Sequence, residues 1–467
     1  MKKVIFFLIT TLILSASHAQ TLVPTVDTRI EIMSIVARLA EYDEYNMKDA
    51  KEYIASIHAW FDKHQTDTLI GFAQRIREQS SIGFDAVMSM AVNLRQSGDK
   101  FALQPNWKKD LDKRWKQEEA PQFVNLLNKF YISAKAGDFF VQEAPWYKKV
   151  IEAFGQVLAN FNQPWYFSYY GIKPKDQFTI IIGCSNGGGN YGPSISLDKE
   201  KKLVFAIMGS WSFDEKGNPV FKKDSYLPTL VHEFNHSFIN PVLTKYDTSL
   251  LLKNSMQKIL DTMRNEMARQ AYSDWKTIIN ESLVRASVVR YLMYNNKDNP
   301  KVSEDEILIQ LNRGFLWMKD LVDLLGNYEA NRTKYPTIDA YYPTIISFFA
   351  SVAGNIGASK LTYESKLPRI ASIEPFSNNA IDVDPATTEI TVNFSEALLG
   401  KGYSINQGKE EFPVKSVIGY ANNNQSFKLK LELKPDTQYE MILTGRSFKS
   451  VNGYPIKDYL VRFRTKK

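Results

Sequence analysis

A chain of 467 residues with 44% hydrophobic and 13% aromatic content is built to pack cores in two or three domains, which excludes a disordered polymer. Its formal net charge of +7 is mild and dispersed, with no dense basic run, so nucleic acid is not an expected partner. The single cysteine, Cys184, excludes an intramolecular disulfide and reads as a small buried residue without a chemical role.

Residues 1–19 read as a secretory signal. Lys2 and Lys3 precede an apolar run from Val4 to Leu14, and Ser17-His18-Ala19 is a small-x-small cleavage site. The mature chain is expected to begin at Gln20, with a charge of +5 after two lysines are lost, and to be periplasmic or secreted. No later stretch is long and apolar enough for a transmembrane segment.

From about 25 to 165 the pattern is helical. Ile30, Ile32, Met33, Ile35, Val36 and Leu39 recur at helical spacing, as do Tyr53, Ile54, Ile57, Trp60 and Phe61. Further helices are expected over 83–94, 123–130 and 146–161, with Gly98-Asp99, Pro105, Pro121 and Pro145 as breaks. His58 and His64, six apart, read as ordinary helix residues.

Two β-rich runs follow, 177–183 and 203–209, joined through a glycine cluster. No G-K-[ST] follows the glycines, so they are not a phosphate loop. They serve either as a flexible hairpin connection or, through Asn190-Tyr191-Gly192, as a place where a peptide substrate's backbone adds to an edge strand.

Val231-His232-Glu233-Phe234-Asn235-His236 is the densest chemistry in the chain. Only four histidines lie beyond the leader, and two fall in this window. On a helix, positions i and i+4 share a face, so His232 and His236 can grip one Zn2+ while Glu233 serves as general base to its water. Asp224-Ser225 is expected to cap this helix, Pro228 to occupy its first turn, and Asn240-Pro241 to end it.

Helices are then expected over 250–267, 277–294, 307–325 and 342–350. In the second, Glu281 interrupts an apolar stripe of Ile278, Val284 and Val288. A buried carboxylate must be paired or metal-bound. Either it pairs with Arg285 at i+4, or it is the third metal ligand with Arg285 behind it as an orienting group. Glu266, Asp261 and Asp274 are the alternatives. Tyr226, Tyr341 and Tyr342 are candidates to stabilise an oxyanion.

Beyond about 368, seven short alternating runs begin at Arg369, Glu389, Lys401, Pro413, Ser426, Thr437 and Tyr459, the spacing of a β-sandwich. Leu433-Lys434-Pro435-Asp436-Thr437-Gln438-Tyr439 reads as a tyrosine corner.

His232-Glu233-Phe234-Asn235-His236 with Asn280-Glu281 resembles the gluzincin type of zincin metallopeptidase, and 25–365 resembles an uncharacterised secreted bacterial domain of that kind. The resemblance implies zinc at His232, His236 and Glu281, and the general base at Glu233. Ile373-Glu374-Pro375, Val392-Asn393-Phe394-Ser395-Glu396 and Phe463-Arg464-Thr465 resemble bacterial Ig-like domains, with Asn378-Asn379 where that pattern has glycine. The expected architecture is α+β: a zincin-like domain over 20–365, with a large helical part and a small sheet, then an all-β Ig-like sandwich over 366–467. The expected activity is zinc-dependent hydrolysis of peptide or protein substrates. The rival is a non-catalytic exported binding protein, attached to a surface or glycan through the Ig-like module.

Overall fold

A computed structural model describes residues 22–172, 176–199 and 201–467; the expected signal at 1–19 lies outside these. The fold is α+β, with a helix-rich N-terminal part followed by β-sheets. No helix among the described residues is long and apolar enough to cross a membrane. The chain divides into two compact units, Met1–Phe161 with Pro174–Ser237, and Asn162–Lys173 with Phe238–Lys467.

In the first unit, the helices Thr28–Leu39 and Thr68–Ser80 start where Asp27 and Asp67 accept hydrogen bonds from Arg29 N and Leu69 N. The helix Ala136–Leu158 runs through Pro145, where a break was expected. Its buried Phe139, Phe140, Tyr147, Val150 and Phe154 offset a proline cost of about 3 kcal/mol.

A four-stranded sheet has the order Pro24–Thr25, Gln177–Gly183, Lys202–Gly209, Ser194–Ser196. The two long strands pair in parallel, Gln177 opposite Leu203 through Gly183 opposite Gly209. The glycine cluster is therefore part of a crossover and not a hairpin turn. The chain comes back as Ser194–Ser196, antiparallel to Lys202–Gly209, and forms the sheet edge. Both long strands bury nearly continuous apolar runs, as parallel strands do.

In the second unit, the expected helix over 307–325 is two helices, Lys301–Asn312 and Met318–Ala330. Between them Gly314 has φ +96, a conformation that disfavours any side chain. The helix expected over 342–350 extends from Ile338 to Glu364. Seven strands follow in two sheets. One has the order Val414–Ala421, Ser426–Leu431, Glu389–Phe394, Ile370–Glu374, and the other Tyr459–Arg464, Gln438–Leu443, Ile405–Gln407. Ile390, Val392, Leu429, Met441, Val461 and Phe463 from both sheets share one fully buried core. The Tyr439 hydroxyl accepts from Lys434 N at 2.7 Å, closing the tyrosine corner. Asn379 has φ +67, which asparagine tolerates better than other side chains, so it stands in for the missing glycine.

Candidate metal centre

The helix carrying the two histidines spans Lys223–Tyr246. It begins earlier than expected: Ser225 N and Tyr226 N both donate to Lys222 O, so Asp224 lies in the first turn and Pro228 in the second. It also continues past Asn240-Pro241. Phe238, Ile239, Val242 and Leu243 are all buried, and that packing outweighs the lost proline hydrogen bond. Leu227, Leu230, Val231 and Phe234 bury the face that the 3.6-residue period assigns to the core. This leaves His232, Glu233 and His236 half-buried, where a ligand can reach them.

The two histidines present their Nε2 atoms to each other at 3.2 Å, with ring planes at 83°. Two donors bonded to one zinc at 2.0–2.1 Å in a tetrahedron stand roughly 3.3–3.4 Å apart. The pair therefore already has the separation of one edge of such a site. Glu233 Oε2 lies over Gly192, 2.8 Å from where a Cβ would be. Only glycine leaves that carboxylate in place.

Glu281 sits on the helix Trp275–Asn295, which Asp274 caps through Thr277 N. Arg285 reaches Glu281 Oε2 through Nε at 3.0 Å and Nη2 at 2.9 Å. Arg285 is itself fixed by Gln310 Oε1 at 2.9 Å, by the Tyr272 hydroxyl at 2.8 Å and by the Phe315 ring. Burial works against the Arg285 charge, but Glu281 and then Tyr272 outweigh it and hold its pKa above the usual guanidinium value. Burial, followed by Glu281, pushes the Tyr272 phenol up to about 12. One ligand atom from each of His232, His236 and Glu281 lies within 4.8 Å of the others. This donor set, two imidazoles and a carboxylate, suits zinc.

The other acids that competed with Glu281 are engaged elsewhere. Glu266 pairs with Lys360, Asp261 with Arg264, and Asp274 caps its helix. Of the tyrosines, Tyr226 accepts from Trp211 N, Tyr341 donates to Leu324 O, and Tyr342 stacks on Tyr246. Tyr246 is ten residues beyond His236, about 15 Å along the helix. His58 pairs with Asp62 on the surface, and Cys184 is buried.

The predicted substrate segment lies on the sheet edge. Tyr191 exchanges both backbone hydrogen bonds with Ile207, at 3.0 and 2.9 Å. Strand alternation then turns the amides and carbonyls of Asn190 and Gly192 away from the sheet. The Asn190 side chain accepts from Gly209 N and so ties the segment to the strand end.

Sequence reasoning missed Tyr272, in a turn with no periodicity, and Glu31. Glu31 is fully buried and accepts from Cys184 N at 2.8 Å, Ser185 Oγ at 2.7 Å and the Tyr53 hydroxyl at 2.8 Å. Tyr53 in turn shares a 2.7 Å hydrogen bond with Tyr147. The signal that marked Glu281, a carboxylate among isoleucines, was also present at Ile30-Glu31-Ile32.

Residues 22–348 match the model of a family described as Domain of unknown function (DUF4932), and 364–465 match that of the bacterial Ig-like domain. No curated protein matches the chain. Among solved structures, the N-terminal part of the bacterial S-layer protein SbsC is 15% identical, with a TM-score of 0.16, over 55% of this chain and 61% of that one. SbsC domains 1–6 and residues 31–844 are 15% and 12% identical, with a TM-score of 0.17 each, over 55% and 86% of this chain and 35% and 46% of theirs. The chain thus spans less than two thirds of each, and likenesses at these scores carry no inference.

Proposed function

We propose that this chain, which belongs to the DUF4932 family and carries a bacterial Ig-like domain after it, is an exported zinc-dependent peptidase. The observation that carries the reading is the approach of His232, His236 and Glu281 to within 4.8 Å, with Glu233 beside the two histidines in sequence. Zinc, when bound, would be held by those three groups and would supply Lewis acidity that lowers the pKa of a water to about 7. Glu233 takes the proton of the attacking water and returns it to the leaving amine. Its carboxylate overhangs Gly192, so a peptide laid along Asn190-Tyr191-Gly192 passes its backbone beside the base. Arg285 bonds Glu281 Oε2 and Tyr272 hydrogen-bonds the same carboxylate, which fixes its orientation.

The test uses purified residues 20–467. About one zinc per chain is expected, together with cleavage of peptides that falls by about 10²–10⁴ in Glu233→Gln while the zinc is kept. A chain that takes up no zinc would be read instead as an exported binding protein. A Glu233→Gln chain cutting at the wild-type rate would remove Glu233 from the mechanism.

A further inference from the structure

Trp211 lies two residues beyond the end of the strand Lys202–Gly209 and is 37% exposed, although it is a large apolar side chain. It lies nearly parallel on the buried Tyr226 ring, with centroids 3.6 Å apart and planes at 8°. Its backbone N–H donates to the Tyr226 hydroxyl at 3.0 Å. The phenol oxygen thereby anchors the backbone of the residue that carries the indole. A Cβ added at Gly188 would stand 3.3 Å from Ser210 O and 3.4 Å from the Trp211 Cβ, so this glycine lies beside the segment that carries the indole.

These contacts give the edge segment two fixed ends. Gly188 lies at Trp211, and Gly192 lies at Glu233. The motif helix runs the same course, since Tyr226 and Glu233 are seven residues apart. Seven residues make nearly two turns, so both positions share a face and lie about 10 Å apart along the axis. Extended peptide advances about 3.3 Å per residue, so about three residues cover the same span.

We infer that Trp211 is a specificity-determining residue. It forms an aromatic platform that receives a large apolar or aromatic substrate side chain about three residues from the cleaved bond. This rests on the peptidase reading above and adds a preference to it. The occupant is an extended peptide, because the amides and carbonyls of Asn190 and Gly192, turned outward by strand alternation, offer it main-chain partners. An aromatic side chain suits the platform best, since offset stacking adds to its buried area.

The test is cleavage of a synthetic peptide library by the zinc-loaded chain 20–467, with product ions read by mass spectrometry. Wild type is expected to favour Phe, Tyr, Trp or Leu over Ser at that position by about 10–200-fold in kcat/KM. Trp211→Ala is expected to bring this ratio close to one, and Trp211→Phe to keep most of it. If the alanine variant does not fold, Trp211→Leu carries the same test, with the preference moving from aromatic to aliphatic side chains. Cleavage with the wild-type profile retained in Trp211→Ala overturns the platform and leaves the peptidase standing. Zinc-loaded wild type that cuts no peptide overturns both.

Discussion

Glu31 and Glu281 are both buried on helices, one in each unit, and their surroundings are opposite in kind. Glu31 accepts from neutral donors, the hydroxyls of Tyr53 and Ser185 and the backbone amides of Cys184 and Ser185. Glu281 faces a guanidinium, which bonds its Oε2, and a phenol hydrogen-bonded to the carboxylate. The first arrangement makes a carboxylate a structural tie, here between the helix Thr28–Leu39 and the start of the glycine-rich crossover. The second arrangement aims a carboxylate. A buried acid is therefore no guide to function until its partners are known.

The largest expected effect comes from removing the aimed carboxylate. Glu281→Ala leaves Arg285 buried without its partner and should destabilise the metal-free chain by about 3–5 kcal/mol, measured by urea unfolding with chelator present. The same variant should hold much less zinc than wild type, measured as metal per chain. Unchanged zinc would send the third ligand elsewhere. Next, Arg285→Ala should weaken zinc binding by about 10–100-fold in a competition titration, because Glu281 is no longer oriented. An unchanged affinity would make Arg285 a counter-ion only.

The smallest effect concerns Glu31 and its pH dependence. Burial raises its pKa; the Cys184 amide, Ser185 and Tyr53 act against burial without overcoming it. The native state thus holds this proton more tightly than the unfolded chain does. The resulting stability is full below the ordinary glutamate value of about 4.3 and is lost as pH rises through the raised native value. Glu31→Gln should flatten that part of the stability–pH curve, measured by urea midpoints from pH 4 upward. A curve of unchanged slope would show that another group sets it.

The β-sandwich was the most legible part of the fold. Strand starts expected at Glu389, Ser426 and Tyr459 coincide with those observed, because alternation at period two leaves little freedom in register. Lys401 was a poorer guide, since that strand begins only at Ile405. Helix existence was legible, but helix ends were not. Pro145 and Pro241 lie inside helices because buried aromatic and aliphatic faces override a local penalty that the sequence shows in isolation. The histidine pair and Glu233 were written in one pentapeptide. Glu281 was readable from its apolar neighbours, whereas Tyr272 and Trp211 gain their places only through contacts that no spacing rule records. Parallel pairing of the two long strands was likewise hidden, because a short β-run carries no sign of its partner's direction.

The buried thiol of Cys184 has a practical consequence. It lies at the junction tied down by Glu31, and burial, then the nearby carboxylate, pushes its pKa well up. Such a thiol is inert to alkylating reagents while its surroundings stay closed. Being the chain's only cysteine, it acts as a built-in clock. The rate at which a thiol reagent labels the native protein measures how often this junction opens, without any introduced probe.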